Sequence, residues 1–290
     1  MIDREVALEA LSVVFNANVT SVQKQRLQAS FVQDDLSVRH HATSAAAAPQ
    51  LLSVKQLIPT LLDADETSKV SRSNYTCIKS VLQSGRLASD FSTLDLQDAI
   101  EIEGPTEKCH TIDEDEFFDP QFDYDFTHLK DTETYYRGGE VYERPCGWTR
   151  FAIKVLDKYP DGNTWLGKSW RSTQSVPGEW PVSYHGTSQK GAEGIIEGHY
   201  EAGSGQVYGR GIYSTPLISE AIYYAKTFTS KKNGKKYKVI LQNRINPQYR
   251  EKHNYDKYWL VPVPNGTSDE EEQKLVERAI RPYGLLLKEV

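Results

Sequence analysis

The segment Ser183-Tyr-His-Gly-Thr-Ser188, followed by Tyr208-Gly-Arg-Gly-Ile-Tyr-Ser-Thr-Pro216, decides how the chain is interpreted. In the first segment a strand is predicted to end at His185, and the glycine after it lets a ligand approach the backbone closely. In the second segment glycines flank Arg210 and lead into Tyr213, at the start of another predicted strand. Each segment alone is typical of an ordinary strand end or turn. Their order and spacing, followed by a helical segment that carries Tyr224, indicate a cleft suited to a flat ring.

The sequence around these segments is predicted to form short strands. Apolar runs punctuated by Gly, Pro and Asn mark five of them, and an Asn233-Gly234 turn signal precedes the third. The helical interludes are short, at 190–197 and 219–228. Strands that outnumber helices without strict alternation favour an α+β fold. The predicted strands are 151–156, 180–184, 237–242, 259–263 and 284–288.

The first hundred residues are predicted to be mainly helical. Apolar residues recur at three- and four-residue intervals from Asp3 to about Phe15, which is the pattern of an amphipathic helix, and a second helix is predicted at 22–32. We interpret 1–100 as an accessory helical region. It is either a structural bundle or a module that recruits a partner.

An acidic segment separates this region from the rest of the chain. Acids crowd the stretch 113–125, where no Lys or Arg occurs, and such charge density is typical of a solvated linker. We therefore predict a linker at 101–123 and a second domain at 124–290. Aromatic residues interleaved with the acids, among them Phe117 and Phe118, indicate that the end of the segment docks onto a core.

Composition limits the classes of function. The formal net charge of -6 disfavours nucleic acid as a partner, because binding to its backbone depends on Lys and Arg. The three cysteines are odd in number and widely spaced, which indicates neither a disulfide framework nor a zinc site. Acids stand where a signal peptide would be basic, and no apolar run is long enough to span a bilayer. We expect a soluble protein of the cytoplasm or nucleus.

The two segments together resemble the poly(ADP-ribose) polymerase-like ADP-ribosyltransferases, the diphtheria-toxin-like or H-Y-E class. The resemblance covers Trp180 to Val290 and implies a split β-sheet domain that takes NAD as its substrate. It implies that His185 would bond the NAD ribose and that the backbone of Gly186 would hold the nicotinamide carboxamide. Tyr213 and Tyr224 would stack on the ring, contributing roughly 1 kcal/mol per face. The residues that match the motif are His185, Gly186, Thr187, Gly194, Ile195, Gly209, Gly211, Ile212, Tyr213 and Tyr224.

The sequence departs from this family at the catalytic carboxylate. The family's glutamate precedes a strand of the type Glu-Tyr-Ile-Val, and the matching segment here, Asp256-Lys-Tyr-Trp-Leu-Val261, puts Lys257 in that place. A cation there would repel an oxocarbenium-like transition state. Asp256 is adjacent, but neighbouring strand residues point to opposite faces, so it could serve only through a register slip or a bulge. Ala221 stands where the family usually has a serine that bonds the carboxamide.

Three hypotheses follow from the resemblance and its departures. The first is a mono-ADP-ribosyltransferase that modifies a protein or other acceptor and uses another acid or the acceptor's own carboxylate. The second is a recognition module that binds NAD or ADP-ribose without turnover. The third, ranked below both, is an RNA 2'-phosphotransferase, a relative that also uses NAD. No residue pattern indicates a metal site.

Two arginine-rich segments upstream, 136–142 and 144–150, allow two interpretations. Arginine, glycine and aromatic residues together can grip phosphate and stack on rings. They can equally form structural pairs around core aromatics such as Trp148 and Trp165. No catalytic role can be assigned to Cys146, which has no histidine close in sequence.

Overall fold

The computed structural model describes residues 2–15, 18–23, 109–167, 172–186 and 208–290. These ranges combine short helices with sheets that are mainly antiparallel, which confirms the α+β class at this coarse level. Of the segments predicted from sequence, 24–32 and the helix at 190–197 lie outside the described residues, as does most of the accessory region 1–100.

The described helices are α1 (Arg4–Phe15), α2 (Glu114–Phe117), α3 (Ile218–Ala221) and α4 (Asp269–Ala279), with 3-10 turns at Pro120–Phe122, Thr164–Leu166 and Ile222–Tyr224. The strands are β1 (Asn18–Ser21), β2 (Cys109–Ile112), β3 (Tyr124–Asp125), β4 (Tyr135–Arg137), β5 (Glu140–Tyr142), β6 (Thr149–Ala152), β7 (Val182–Gly186), β8 (Gly211–Ser214), β9 (Lys226–Thr229), β10 (Lys236–Ile245), β11 (Glu251–His253), β12 (Tyr258–Pro262) and β13 (Ile280–Glu289).

Two sheets position the candidate site. The larger has the strand order β3-β6-β13-β10-β7, with β9 paired to the beginning of β10. The smaller has the order β11-β12-β8. They meet where Tyr184 and Thr215 exchange backbone hydrogen bonds of 2.7 and 2.9 Å. In the described part of the chain this is the only ladder pair between β7 and β8, so the two sheets diverge from it.

The five strands predicted from sequence correspond to β6, β7, β10, β12 and β13, with shifted ends. The segment predicted as a helix at 219–228 is helical only as far as Tyr224, and 226–229 forms β9. Its alternating Thr227 and Thr229 are β-branched and suit a strand, and β10 supplies the partner backbone for pairing. The acidic run at 269–272 begins α4, where Ser268 and Glu271 form a capping box.

The first helix is part of the same core as the sheets. Its apolar face is buried in one cluster with residues of β10 and β13. Arg4 stacks on Phe118 at 4.6 Å and pairs with Asp123 at 2.8 Å, and Glu5 pairs with Lys232 of the β9–β10 turn at 3.0 Å. Residues 4–15 therefore belong structurally with the C-terminal sheets, although the sequence grouped them with an accessory region.

The described part of the predicted acidic linker, 109–123, is folded. It contains β2, which pairs in parallel with β1, and the helix α2. Phe117 and Phe118 are buried in the core, while Glu116 faces outward and pairs with Lys154 and Lys158. The prediction of aromatic docking is confirmed here, because burial of the two rings in the core removes apolar surface from water while Glu116 stays at the surface.

Candidate functional site

The imidazole of His185 lies where the two sheets part. Its Nδ1 donates to the backbone carbonyl of Tyr213 at 2.6 Å, and because a carbonyl oxygen can only accept, this nitrogen carries a proton. In the neutral ring Nε2 then holds a lone pair that can accept a hydrogen bond. Burial lowers the pKa of His185 from its usual value, opposed in part by the hydrogen bond to Tyr213. The ring is therefore neutral at physiological pH.

The backbone of Gly186 points toward the smaller sheet. Hydrogen-bonded pairs alternate along an antiparallel ladder, so the next such pair after Tyr184 and Thr215 would join Gly186 to Tyr213. The Tyr213 carbonyl instead accepts from the His185 ring. This side-chain bond replaces the regular ladder, and the peptide groups of Gly186 are directed into the region where the sheets separate.

The packing of Tyr224 requires a glycine at position 186. A Cβ atom on Gly186 would lie 2.6 Å from the carbonyl carbon of Tyr224 and 2.8 Å from its oxygen. The structure therefore places the 3-10 turn that carries Tyr224 directly against the end of β7. Thr187, the next residue of the predicted motif, lies outside the described residues.

Tyr213 is held by the loop that precedes it. Its hydroxyl donates to the carbonyl of Gly209 at 2.7 Å and accepts from the backbone N–H of Tyr208 at 3.0 Å. A Cβ on Gly211 would come within 2.9 Å of the Val261 carbonyl carbon, so β8 and β12 approach closely there. These contacts fix the position of the Tyr213 ring.

Arg210, between the two glycines, has a structural role. Its guanidinium donates to the carbonyls of Val263 and Pro264 at 3.4 and 3.2 Å and forms a close ion pair with Glu272 of α4. These bonds tie the loop before β8 to the helix before β13.

The structure separates the two residues considered for the family's carboxylate. Asp256 lies in the turn between β11 and β12, where Asn254, Tyr255 and Asp256 all have left-handed backbone angles. Its carboxylate pairs with Lys252 at 3.1 Å and its side chain is 59% exposed, so it does not join His185 and the tyrosines. Lys257 is not in that group either, but its ammonium forms an ion pair with Glu220 at 3.0 Å.

A carboxylate that sequence reasoning missed lies beside Tyr224. Oε1 of Glu220 accepts from the hydroxyl of Tyr258 at 2.6 Å and from that of Tyr224 at 3.3 Å. Oε2 lies 3.0 Å from Nζ of Lys257. Burial raises the pKa of the Tyr258 hydroxyl, and its hydrogen bond to Glu220 adds to the effect. Burial also raises the pKa of Tyr224, although the hydrogen bond with Tyr258 opposes this. The only local sign of this contact in the sequence was that Glu220 stands four residues before Tyr224, a spacing at which helical side chains meet.

The arginine-rich segments are engaged in structural contacts. Arg137 and Arg244 share the buried carboxylate of Glu179 at 3.4 and 3.1 Å. Arg144 pairs with Asp131, and Arg150 stacks over aromatic rings. Trp148 and Trp165 are core residues. The packing interpretation of these segments is therefore the one that the structure supports.

Cys146 is half-buried, with its sulfur 3.6 Å from the carboxylate of Asp131. Burial and that neighbouring charge raise the pKa of its thiol, which lowers the thiolate fraction on which reactivity depends.

Within the described ranges, no cluster of three or more His, Cys, Asp and Glu side chains could hold a metal ion. None of the helices described there has both the length and the apolar character needed to cross a bilayer. No protein-family model matches the chain, and no curated protein matches it significantly. The residues and their geometry therefore carry the functional conclusion.

Proposed function

We propose that the chain is an NAD-dependent ADP-ribosyltransferase-like protein that transfers a single ADP-ribose unit to a protein or other acceptor and releases nicotinamide. The observation that carries the proposal is the hydrogen bond from His185 Nδ1 to the Tyr213 carbonyl. It joins the two sequence segments at the point where the sheets diverge. Such a divergence is the feature expected of the split β-sheet that the sequence resemblance implies.

The chemistry of each group suits one part of NAD. The lone pair on Nε2 of His185 would accept from a ribose hydroxyl of the nicotinamide nucleoside. The peptide groups of Gly186 offer a donor and an acceptor, the complement of a carboxamide. The rings of Tyr213 and Tyr224 would enclose the nicotinamide by offset stacking. Both tyrosine side chains are already held by hydrogen bonds, so binding of the ligand would cost little conformational entropy in fixing them.

The reaction is a substitution at the anomeric carbon of the nicotinamide ribose. The bond from C1' to the pyridinium nitrogen breaks, and its electron pair goes to nicotinamide. A nucleophile on the acceptor forms the new bond to C1' and gives its proton to a base or to solvent. Positive charge develops on the ribose between these events, and a fixed carboxylate nearby would stabilise it.

Nicotinamide release is the direct test. The purified protein is incubated with NAD, released nicotinamide is quantified, and intact mass analysis detects added ADP-ribose. We expect release in the wild type and its loss in His185→Ala. His128→Ala is the matched control, because this histidine is exposed and makes none of the site's contacts. Equal release by the wild type and His185→Ala would contradict the proposal.

A second candidate is a recognition module that binds NAD or ADP-ribose without turnover. The ion pair between Lys257 and Glu220 favours it, because the cation offsets the carboxylate that would stabilise the developing charge. Isothermal titration calorimetry with NAD, alongside the nicotinamide assay, distinguishes the recognition module from the transferase. Binding that depends on His185, without nicotinamide release, would support the module and refute the enzyme.

A further inference from the structure

Glu220, Tyr224, Lys257 and Tyr258 form a connected group, named here the Glu220 cluster. The carboxylate is at its centre, with the two phenol hydroxyls on Oε1 and the ammonium on Oε2. The side chain of Glu220 is 12% exposed, whereas that of Lys257 is 40% exposed. The anion is therefore fixed within the protein while its cation lies at the edge, on a flexible stem.

The cluster faces the same region as His185 and Tyr213. Tyr224 belongs both to the cluster and to the contact with Gly186. Leu260 is directly opposite Tyr213 in the β8–β12 ladder, and directly opposite residues project from the same face. Tyr258 is two residues before Leu260 and shares that face.

We propose that Glu220 is the carboxylate that stabilises the ribosyl cation and that Lys257 restrains the reaction by neutralising it. This inference rests on the proposed function. When Lys257 is paired with Glu220, the two charges cancel and the pair gives the developing ribosyl cation little electrostatic stabilisation. When the ammonium is absent or swings out, the cation meets a full negative charge that Tyr258 and Tyr224 still hold in place.

The balance of the step is the same with water as the acceptor. The C1'–N bond breaks, nicotinamide leaves with the electron pair, and water adds through its oxygen to C1' and loses a proton to solvent. No oxidant or reductant takes part. Glu220 forms no bond in this step; it acts through its charge on the carbon that becomes positive.

Three variants test the restraint: Lys257→Met, Glu220→Gln and the double variant. Methionine keeps an apolar stem and removes the charge. We expect Lys257→Met to release nicotinamide about tenfold faster than the wild type, equivalent to about 1.4 kcal/mol in the barrier. Glu220→Gln should lose release, and the double variant should be as slow as Glu220→Gln.

Lys252→Met is the matched control for loss of a positive charge. This lysine is on the same hairpin and is 32% exposed, but it pairs with Glu140 and Asp256. Its loss should leave the rate of nicotinamide release unchanged. Thermal unfolding of every variant, with NAD binding by calorimetry, shows that the comparison is made on folded protein.

The outcomes separate the inference from the proposed function. If His185-dependent release is measurable and Lys257→Met is no faster than wild type, the restraint is refuted and the transferase stands. If the double variant is as fast as Lys257→Met, the gain does not pass through Glu220 and the inference is also refuted. If NAD is bound but neither the wild type nor Lys257→Met releases nicotinamide, both the transferase and the inference fail. If no form of the protein binds NAD, the NAD site itself is refuted.

Discussion

Replacing Gly186 with alanine tests the close approach between β7 and Tyr224. The added methyl would lie 2.6 Å from the carbonyl carbon of Tyr224 and 2.8 Å from its oxygen. Ordinary carbon contacts are about 3.5–4.0 Å, so the turn must move away by about 1 Å. Because the obstacle is backbone, a change of side-chain rotamer cannot relieve it. We expect the free energy of unfolding to fall by about 1–3 kcal/mol, as for other overpacked substitutions.

The same displacement should affect the proposed activity more than it affects stability. It moves Tyr224 away from the end of β7 and strains its bond to Glu220, and a misplacement of about 1 Å can lower a reaction rate about 100-fold. Urea unfolding gives the first quantity. NAD titration and nicotinamide release by the folded variant give the second.

Gly284→Ala is the control for a methyl group added at a glycine away from the site. Its methyl would lie 2.8 Å from Cδ of Arg150 in the larger sheet, and a flexible side chain can move. NAD binding should persist in this variant. The reasoning is refuted if Gly186→Ala unfolds and binds NAD as the wild type does, or if Gly284→Ala loses as much NAD binding as Gly186→Ala.

Three further predictions concern His185, the predicted linker and the Arg210 anchor. Burial lowers the pKa of His185, so stability present above about pH 6.5 should fall as the pH drops toward the folded-state value, because the unfolded chain takes up the proton first. Unfolding free energies measured from pH 8 to 5 should show a shallower decline in His185→Gln, and equal slopes would contradict this. Phe118→Ala should cost about 3–5 kcal/mol, whereas Phe122→Ala, at a ring that is 45% exposed, should cost less than about 1 kcal/mol; similar losses in urea unfolding would count against a folded linker. Arg210→Ala should cost about 1–3 kcal/mol and should not add to Glu272→Gln in a double-mutant cycle, because the two groups bond each other; simple additivity would show that the anchor is absent.

The strands were predictable because apolar runs mark them, but their ends were not. Strand β10 continues through Gln242, Asn243 and Arg244, all buried. Two of these have partners from distant segments: the Tyr142 hydroxyl accepts from Gln242 at 3.0 Å, and Glu179 pairs with Arg244. The apolar pattern ended the predicted strand at Gln242, where the run of polar residues begins. It cannot show that a carboxylate or phenol from elsewhere will satisfy that residue inside the core.

The acidic segment 113–125 was predicted to be solvated but is folded, again because its partners are distant in sequence. Its charge density predicted a solvated linker, yet the lysines that pair with Glu116 come later in the chain, after β6, at positions 154 and 158. The interleaved Phe117 and Phe118 were the local sign of burial. When a sequence alternates acids with aromatics, the rings decide where the backbone lies, because their burial is worth more than exposed ion pairs.

The candidate site could be predicted where its parts are local. His185 and Tyr213 each stand in a short motif with glycines, and the structure joins them by one hydrogen bond. Glu220 could not be found in this way, because Lys257 reaches it from the β11–β12 turn and Tyr258 from the start of β12. The resemblance located position 257 but gave no information about which group a lysine would meet there.

Lys257 and Glu220 explain each other. A carboxylate that is largely buried, with phenol donors alone, would carry an uncompensated charge at a cost of several kcal/mol. A lysine at position 257 without a carboxylate would keep only solvent and a weak cation–π contact with the ring of Tyr258, 5.5 Å away. As a pair, the two charges are tolerated in the folded protein, and the exposed lysine can leave while the carboxylate stays. Under the proposed function, the lysine at position 257 is matched by the carboxylate of Glu220 on α3, and the charge offered to the ribosyl cation depends on where that one flexible side chain lies.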